Sequence, residues 1–288
     1  MSLPEFNFHM PSQLGDAFRL MQEYGPDARL MGGGTDLLMK MKSGRLSCQQ
    51  VISLKRIADL DGLGFEPSSG LSIGANTVLA DVAAFAPARE HYACLVASIE
   101  KLATVQVRNK ATVVGNLCNA SPCADTATSL MALGARAKVI GPQTSREIPV
   151  EELIVGVGQT SLAESELVHS VIVPPPDKNQ RSLYLKHSRR SKVDIAAASI
   201  CISIRIHDGV FEDVNIFLGS VAPRPLRARQ AELALIGKAP RKEHLEQAAH
   251  CAHSECSPIS DLRASEEHKR HMVGVLTYRG LEKLVMQP

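Results

Sequence analysis

Leu14, Ala17, Phe18 and Met21 recur at helical spacing between Pro11 and Tyr24. That pattern predicts an amphipathic helix with Ser12 as N-cap and Gly25-Pro26 as its stop. Short apolar runs at Ala28 to Met31, Gln50 to Leu54, Leu71 to Ala75 and Arg136 to Ile140 predict strands, and Glu166 to Val173 a longer extended one. Helical periodicity appears at Thr35 to Lys42, Val78 to Ala86, His91 to Leu102 and Thr126 to Leu133, with a short helix or turn at Pro149 to Leu153. Pro174 to Pro176 cannot lie inside a helix or sheet and mark a domain boundary. Beyond it Ser182 to His187, Ala196 to Ile206 and Val210 to Leu218 read as three strands, with a hairpin turn at Asp208-Gly209. Helices follow at Ala228 to Ile236, Glu243 to His253 and Ala264 to Val285. The expected fold class is α+β, with a first domain over 1–176 and a second over 180–287 built on a three-stranded antiparallel sheet covered by helices.

Composition narrows the function. The chain has 288 residues, 44% hydrophobic and 22% charged, with a net charge of +2. Such a near-neutral balance gives no electrostatic case for nucleic acid or an anionic membrane surface. Tryptophan is absent and tyrosines number four, so base-stacking platforms are scarce. No apolar run approaches the roughly 20 residues that span a bilayer, and no secretory signal is evident, so a cytoplasmic location is expected. The seven cysteines include no C-x-x-C pair and read as reduced thiols, with no metal site among them.

Two stretches carry candidate chemistry. The first is Gly32-Gly33-Gly34-Thr35-Asp36, between the Ala28 to Met31 strand and a helix. Glycines let a ligand approach the main chain, and Thr35 or Asp36 could cap the helix, whose first N–H groups would seat a phosphate. A plain strand-to-helix turn fits the same residues. The second is the polar passage Val105 to Asp125, expected as a long loop between apolar helices. Thr112, Asn116, Asn119, Ser121 and Asp125 offer hydroxyl, amide and carboxylate groups suited to a sugar–phosphate chain, and Gly115 admits close approach. Long loops inside a domain are often functional, although Asn and Ser also cap their own turns. Neither stretch contains G-x-G-x-x-G or a Walker A loop, so a dinucleotide held here would not lie on a standard NAD-binding fold.

These motifs resemble the flavin-binding medium subunit of molybdenum hydroxylases. That family includes relatives of xanthine dehydrogenase, carbon monoxide dehydrogenase, nicotinate dehydrogenase and hydroxybenzoyl-CoA reductase. The resemblance runs through Phe6 to Pro11, Gly32 to Leu37, Leu71 to Ala75, Gln106 to Asp125, Lys186 to Ile195, Val221 to Ala228 and Leu262 to Ser265. It implies a two-part FAD-binding domain of the vanillyl-alcohol-oxidase (PCMH) type followed by a smaller α+β domain. By resemblance Leu30, Met31, Gly32, Gly33, Gly34, Thr35, Asp36 and Leu37 form the first FAD loop, which holds the pyrophosphate. Ala111, Thr112, Gly115, Asn116 and Asp125 belong to the second, on the ribityl and adenosine side. Cys118 falls close to the isoalloxazine, and Val168 and Lys186 match two further flavin contacts, Lys186 as a cation near the ring that would stabilise the anionic reduced flavin. In one departure, Val114 stands where the family usually has glycine, so that position is either extended or reshaped. The iron–sulfur insertion of the hydroxybenzoyl-CoA reductase branch is absent after Cys123.

The implied function is electron transfer. A large molybdopterin-binding subunit would oxidise substrate, and a small subunit with 2Fe-2S clusters would pass electrons to FAD here, and on to an acceptor such as NAD. The assembly would be a heterotrimer, further paired into a dimer of heterotrimers, with the xanthine dehydrogenase-like branch favoured by Ala120 to Pro122 and Arg263 to Ser265. No residue of this chain is expected to act as a catalytic acid or base. A stand-alone flavin oxidoreductase on the same fold, or a flavin-free scaffold subunit, are the alternatives.

Overall fold

The computed structural model describes residues 2–190 and 193–286. Ser191 and Lys192, within the Lys186 to Ile195 motif, lie outside the described residues, as do Met1 and Gln287 at the ends of the two expected domains. Three layers of structure follow one another along the chain.

The first is β1 (Asn7–His9), α1 (Leu14–Tyr24), β2 (Ala28–Met31), α2 (Leu37–Lys42) and β3 (Gln50–Ser53). The strands form a parallel sheet in the order β1-β3-β2. Its crossovers carry helices, as parallel pairing requires. α1 lays Ala17 and Met21 on the core. Gln13, not Ser12, occupies its N-cap position, and no side chain caps it. The sequence expectation was one residue early, because Leu14 is the first residue with helical geometry.

The second layer is β4 (Leu63–Glu66), β5 (Gly70–Gly74), α3 (Leu79–Ala84), α4 (Ala86–His91), α5 (Ala93–Glu100), α6 (Val105–Arg108), α7 (Val113–Cys118), α8 (Asp125–Ala132), β6 (Arg136–Ile140), β7 (Ser145–Pro149), α9 (Val150–Leu153), β8 (Ile154–Gly156), β9 (Gln159–Thr160) and β10 (Leu167–Val173). Five of these strands pair antiparallel in the order β4-β5-β10-β6-β7. α8 is buried along its whole length, which suits a helix held between other helices and a sheet. It touches α5 and α7 on one side and β12 and β13 of the next layer on the other.

The polar passage is not the long loop expected. Thr104 caps α6 by accepting from the Val107 N–H at 3.3 Å, and Thr112 caps α7 by accepting from the Gly115 N–H at 2.9 Å. Two Thr side chains thus start two helical turns that the polar composition had hidden.

The third layer is β11 (Gln180–His187), β12 (Ala198–His207), β13 (Val210–Gly219), β14 (Leu226–Arg227), α10 (Arg229–Leu233), α11 (Lys242–Glu255) and α12 (Glu266–Met286). The three expected strands form an antiparallel meander, with the two-residue β14 as a fourth at its edge. Asp208 and Gly209 have φ of 48° and 77°, the left-handed pair that a tight hairpin turn needs. Ile200, Ile202, Ile204, Val214, Ile216 and Leu218 bury one sheet face beneath α11 and α12. The opposite face belongs to a different core. Tyr184, Cys201 and Phe217 pack with the second layer. The junction is also tied through the main chain, where the Ser220 N–H donates to the Pro122 carbonyl at 2.8 Å.

Candidate functional site

Leu30 and Met31 end β2, and the chain then leaves the sheet through Gly32 to Asp36 into α2. Among the described residues, no acceptor takes the N–H groups of Gly33, Gly34, Thr35, Asp36 or Leu37. Asp36 sits at the N-cap of α2 but makes no side-chain cap, so neither Thr35 nor Asp36 plays the expected capping part. Gly34 has φ of 73°, where only glycine is comfortable. Gly33 is demanded by a neighbour: a Cβ there would strike the Lys110 carbonyl oxygen and come within 2.7 Å of the Ala111 Cα.

That contact brings the two predicted stretches together. A Cβ on Gly32 would lie 3.4 Å from Thr112 Oγ1. Lys40 of α2 donates to Asn119 Oδ1 at 2.6 Å, a second link between the loops. Ala111 and Thr112 precede α7, and the Ala111 carbonyl accepts from the Leu79 N–H at 2.8 Å. Gly115 is an exposed residue of α7. It is not left-handed, but a Cβ there would come within 2.9 Å of the capping Thr112 oxygen. Val114 is buried in α7 with no positive φ, so valine is accommodated by helical geometry at the position where the family favours glycine. Asn116 Oδ1 accepts from Thr126 Oγ1 at 2.6 Å, which leaves its NH2 group to donate elsewhere. Cys118 ends α7, and burial pushes its thiol up to about 12, so it is a neutral thiol at physiological pH.

Asp125 begins α8 and is 5% exposed. Its Oδ2 accepts from Lys186 Nζ at 2.8 Å, and its Oδ1 from the Tyr184 hydroxyl at 2.5 Å. Lys186 also donates to the Lys101 carbonyl at 3.1 Å. Burial pushes the Asp125 carboxyl up from its ordinary value, while the Lys186 charge and the hydrogen bonds from Lys186 and Tyr184 pull it back. Tyr184 is pushed well above its ordinary value, first by burial and then by the Asp125 charge. Both oxygens of Asp125 are thus occupied by protein groups, and the charge of Lys186 has a counter-ion 2.8 Å away. Lys101, Lys186, His187, Ser188, Arg190 and Asp194 line a cavity of about 290 Å³.

Val168 is buried in β10 opposite Val139, beside a bulge between Val168 and Ser170. α7 packs on this strand. Val168 makes no side-chain hydrogen bond, as its apolar side chain requires, but it lies in the same buried cluster as Ala111, with Cys118 packed against that cluster. Sequence reasoning missed Tyr184, Lys101 and Lys40. Tyr184 carried one signal, since strand alternation sets it on the face shared with Lys186 two residues on. Lys40 and Lys101 carried none, because their partners lie 79 and 85 residues away. A larger cavity of about 510 Å³ between α11 and α12, lined by His250, His253, His271 and Tyr278, contains none of the predicted site residues.

Two apposed loops, the first with unspent main-chain donors and the second with polar side chains, backed by a buried lysine–carboxylate pair, define a two-clamp site for a long polar cofactor. The comparisons with known proteins give that class its family. The FAD binding domain in molybdopterin dehydrogenase matches residues 4–176, and the CO dehydrogenase flavoprotein C-terminal domain matches residues 183–284. The chain belongs to this family, the FAD-binding subunits of molybdenum hydroxylases. It is 31% identical over 278 residues to the carbon monoxide dehydrogenase medium chain of Hydrogenophaga pseudoflava, covering 96% of each chain. With a putative xanthine dehydrogenase FAD-binding subunit of Escherichia coli K12 it shares 27% identity over 280 residues, covering 97% of this chain and 96% of the relative. The fold superimposes on the solved carbon monoxide dehydrogenase of Hydrogenophaga pseudoflava with a TM-score of 0.95 at 32% identity, covering 99% of both chains.

Proposed function

We propose that this chain is the electron-transfer subunit of a molybdopterin-dependent dehydrogenase, holding one FAD between the two loops. The observation that carries the reading is the apposition of Gly33 with Lys110 and Ala111, which sets the unspent N–H donors of Gly33 to Leu37 beside the second loop. Such donors suit a pyrophosphate, which needs several hydrogen bonds and tolerates no Cβ between. When bound, FAD supplies two-electron redox chemistry at its isoalloxazine.

The residues of the chain bind and orient. Gly32 to Leu37, with Leu30 and Met31 behind them, would hold the pyrophosphate. The NH2 group of Asn116 and the exposed backbone of Gly115 would meet the ribityl and adenosine portion, with Ala111 and Thr112 shaping the wall. Asp125 acts there through its hold on Lys186 rather than through a free oxygen. Val168 and the neutral thiol of Cys118 would supply an apolar wall for the ring, and Lys186 its cation. The two domains of this reading run over 1–176 and 180–287, meeting at Pro174 to Pro176.

Electrons would arrive from 2Fe-2S clusters of a small partner subunit, after substrate oxidation in a large molybdopterin-binding subunit. They would leave to an acceptor, NAD in the xanthine dehydrogenase-like branch. The complex would be a cytoplasmic dimer of heterotrimers. Among the described residues, no helix is long and apolar enough to cross a membrane.

Co-expression with a large molybdopterin subunit and a small iron–sulfur subunit tests this assignment. The three chains should purify together in equal amounts, and the flavin band should bleach when substrate is added without air and return with the acceptor. A chain that purifies alone, and whose flavin substrate never bleaches, would refute it.

A further inference from the structure

The flavin-binding reading leaves one buried group without a task. Tyr184 is 1% exposed in β11, with Cys201 of β12 as its cross-strand partner. A tyrosine at such a site could serve packing alone. Its hydroxyl, however, is spent on Asp125 Oδ1 at 2.5 Å, and the other oxygen of the same carboxylate holds Lys186 at 2.8 Å. An ammonium group has three N–H donors. Asp125 and the Lys101 carbonyl take two of those on Lys186, and one remains where the residue lines the 290 Å³ cavity.

The charge balance is delicate. Asp125 and Lys186 side chains are 6% and 5% exposed, so each ion is stable only while the other is charged. Burial drives Asp125 toward its neutral form, and two hydrogen bonds oppose that drive. The groups that face Asp125 are Tyr184 and Lys186 from β11 and Lys101 from the end of α5. Lys283 of α12 faces Lys101, whose own ammonium is pushed down by burial and by the Lys186 charge. Behind Tyr184 stand Ser199 and Cys201 of β12, and Cys201 faces Cys94 of α5 in turn. Lys186 does most to favour the ionised form of Asp125, and the Tyr184 hydroxyl, 2.5 Å from Oδ1, is the uncharged donor that adds to it.

We propose that Tyr184 is a positioning residue for the flavin: its hydroxyl keeps Asp125 ionised and in place, so that Lys186 is presented to the cofactor with its charge compensated and one N–H free. The proposal rests on the placement of Lys186 beside the isoalloxazine. It predicts that the protein, through Tyr184, holds the electrostatic field at the ring constant over the neutral pH range.

Tyr184→Phe tests it, because the ring still fills its place in the core and only the hydroxyl is lost. In the FAD-loaded chain the variant should gain a step in midpoint potential against pH. As pH falls, Asp125 takes up a proton, the site becomes more positive, and the potential rises above that of the unsubstituted chain. Asp125→Asn should show the raised potential at every pH and no step. A Tyr184→Phe chain with full FAD and an unchanged potential-against-pH curve would overturn the proposal. A second measurement needs no cofactor. The infrared band of the Asp125 carboxyl, assigned by its loss in Asp125→Asn, should protonate at higher pH in Tyr184→Phe than in the unsubstituted chain, and an unchanged titration would also overturn it. Failure of the unsubstituted chain to take up FAD would instead count against the flavin reading, and the infrared titration would still decide the role of Tyr184.

Discussion

A Cβ on Gly33 meets main chain, the Lys110 carbonyl and the Ala111 Cα, not solvent and not a flexible side chain. The glycine therefore serves the contact between two loops as much as any contact with a ligand. Gly33→Ala should separate the loops, lower the melting temperature, and cost the chain its FAD on gel filtration. Full retention of FAD by that variant would show that the loops can bind apart. Of the site at this scale, the sequence made legible the three glycines in a row and the polar groups of the second stretch, Asp125 among them, whereas Lys186 became a candidate only through the family resemblance. The links among them were not legible. Tyr184 and Lys186 reach Asp125 across 59 and 61 residues, and no local pattern encodes such a contact. The family resemblance brought Asp125 and Lys186 onto one candidate roster, and the ion pair between them came only from the fold.

At the scale of elements, α7 shows how a polar run becomes a helix. Thr112 is 4% exposed, and its hydroxyl accepts from the Gly115 N–H at the first turn. Thr112→Val keeps the shape and removes the cap, at a cost of about 1 kcal/mol. Chemical denaturation should read that loss, and Thr112→Ser should restore most of it. An undiminished Thr112→Val chain would mean that packing of Val113 and Leu117 suffices to hold the helix. The elements that the hydrophobic pattern did predict are those with a clean apolar face, such as α1, β12 and β13. Those it missed were short or edge elements. β1, β4 and β7 are mostly exposed or alternate weakly, so burial leaves little imprint on their residues. α6 and α7 were hidden because their stabilising signal is a single capping side chain rather than a period.

Across the whole molecule, the loop that joins the two helices over the last sheet is anchored at Asp261. Asp261 accepts from Lys269 Nζ, which is 3% exposed, at 2.9 Å, and from the N–H groups of Arg263 and Ala264 at 2.8 and 3.2 Å. Burial raises its carboxyl, but those hydrogen bonds outweigh it and hold the group well below the ordinary carboxylate range. A depressed carboxylate stabilises the fold fully above its unfolded value of 3.8 and loses that contribution as pH falls through its folded value. Asp261→Asn should therefore cost about 2 kcal/mol at neutral pH, the range for hydrogen bonds to a charged group. The deficit should shrink as pH falls below the carboxylate range, and a deficit independent of pH would assign it to lost packing instead. The electron-transfer role requires that the first two layers grip a single FAD across their seam. Its most direct test is the visible spectrum of the purified chain after incubation with FAD and gel filtration. The expected result is the flavin absorption bands at about one FAD per chain, from the pyrophosphate seat beside Gly33 to Leu37. A colourless chain that does not take up added FAD would contradict it.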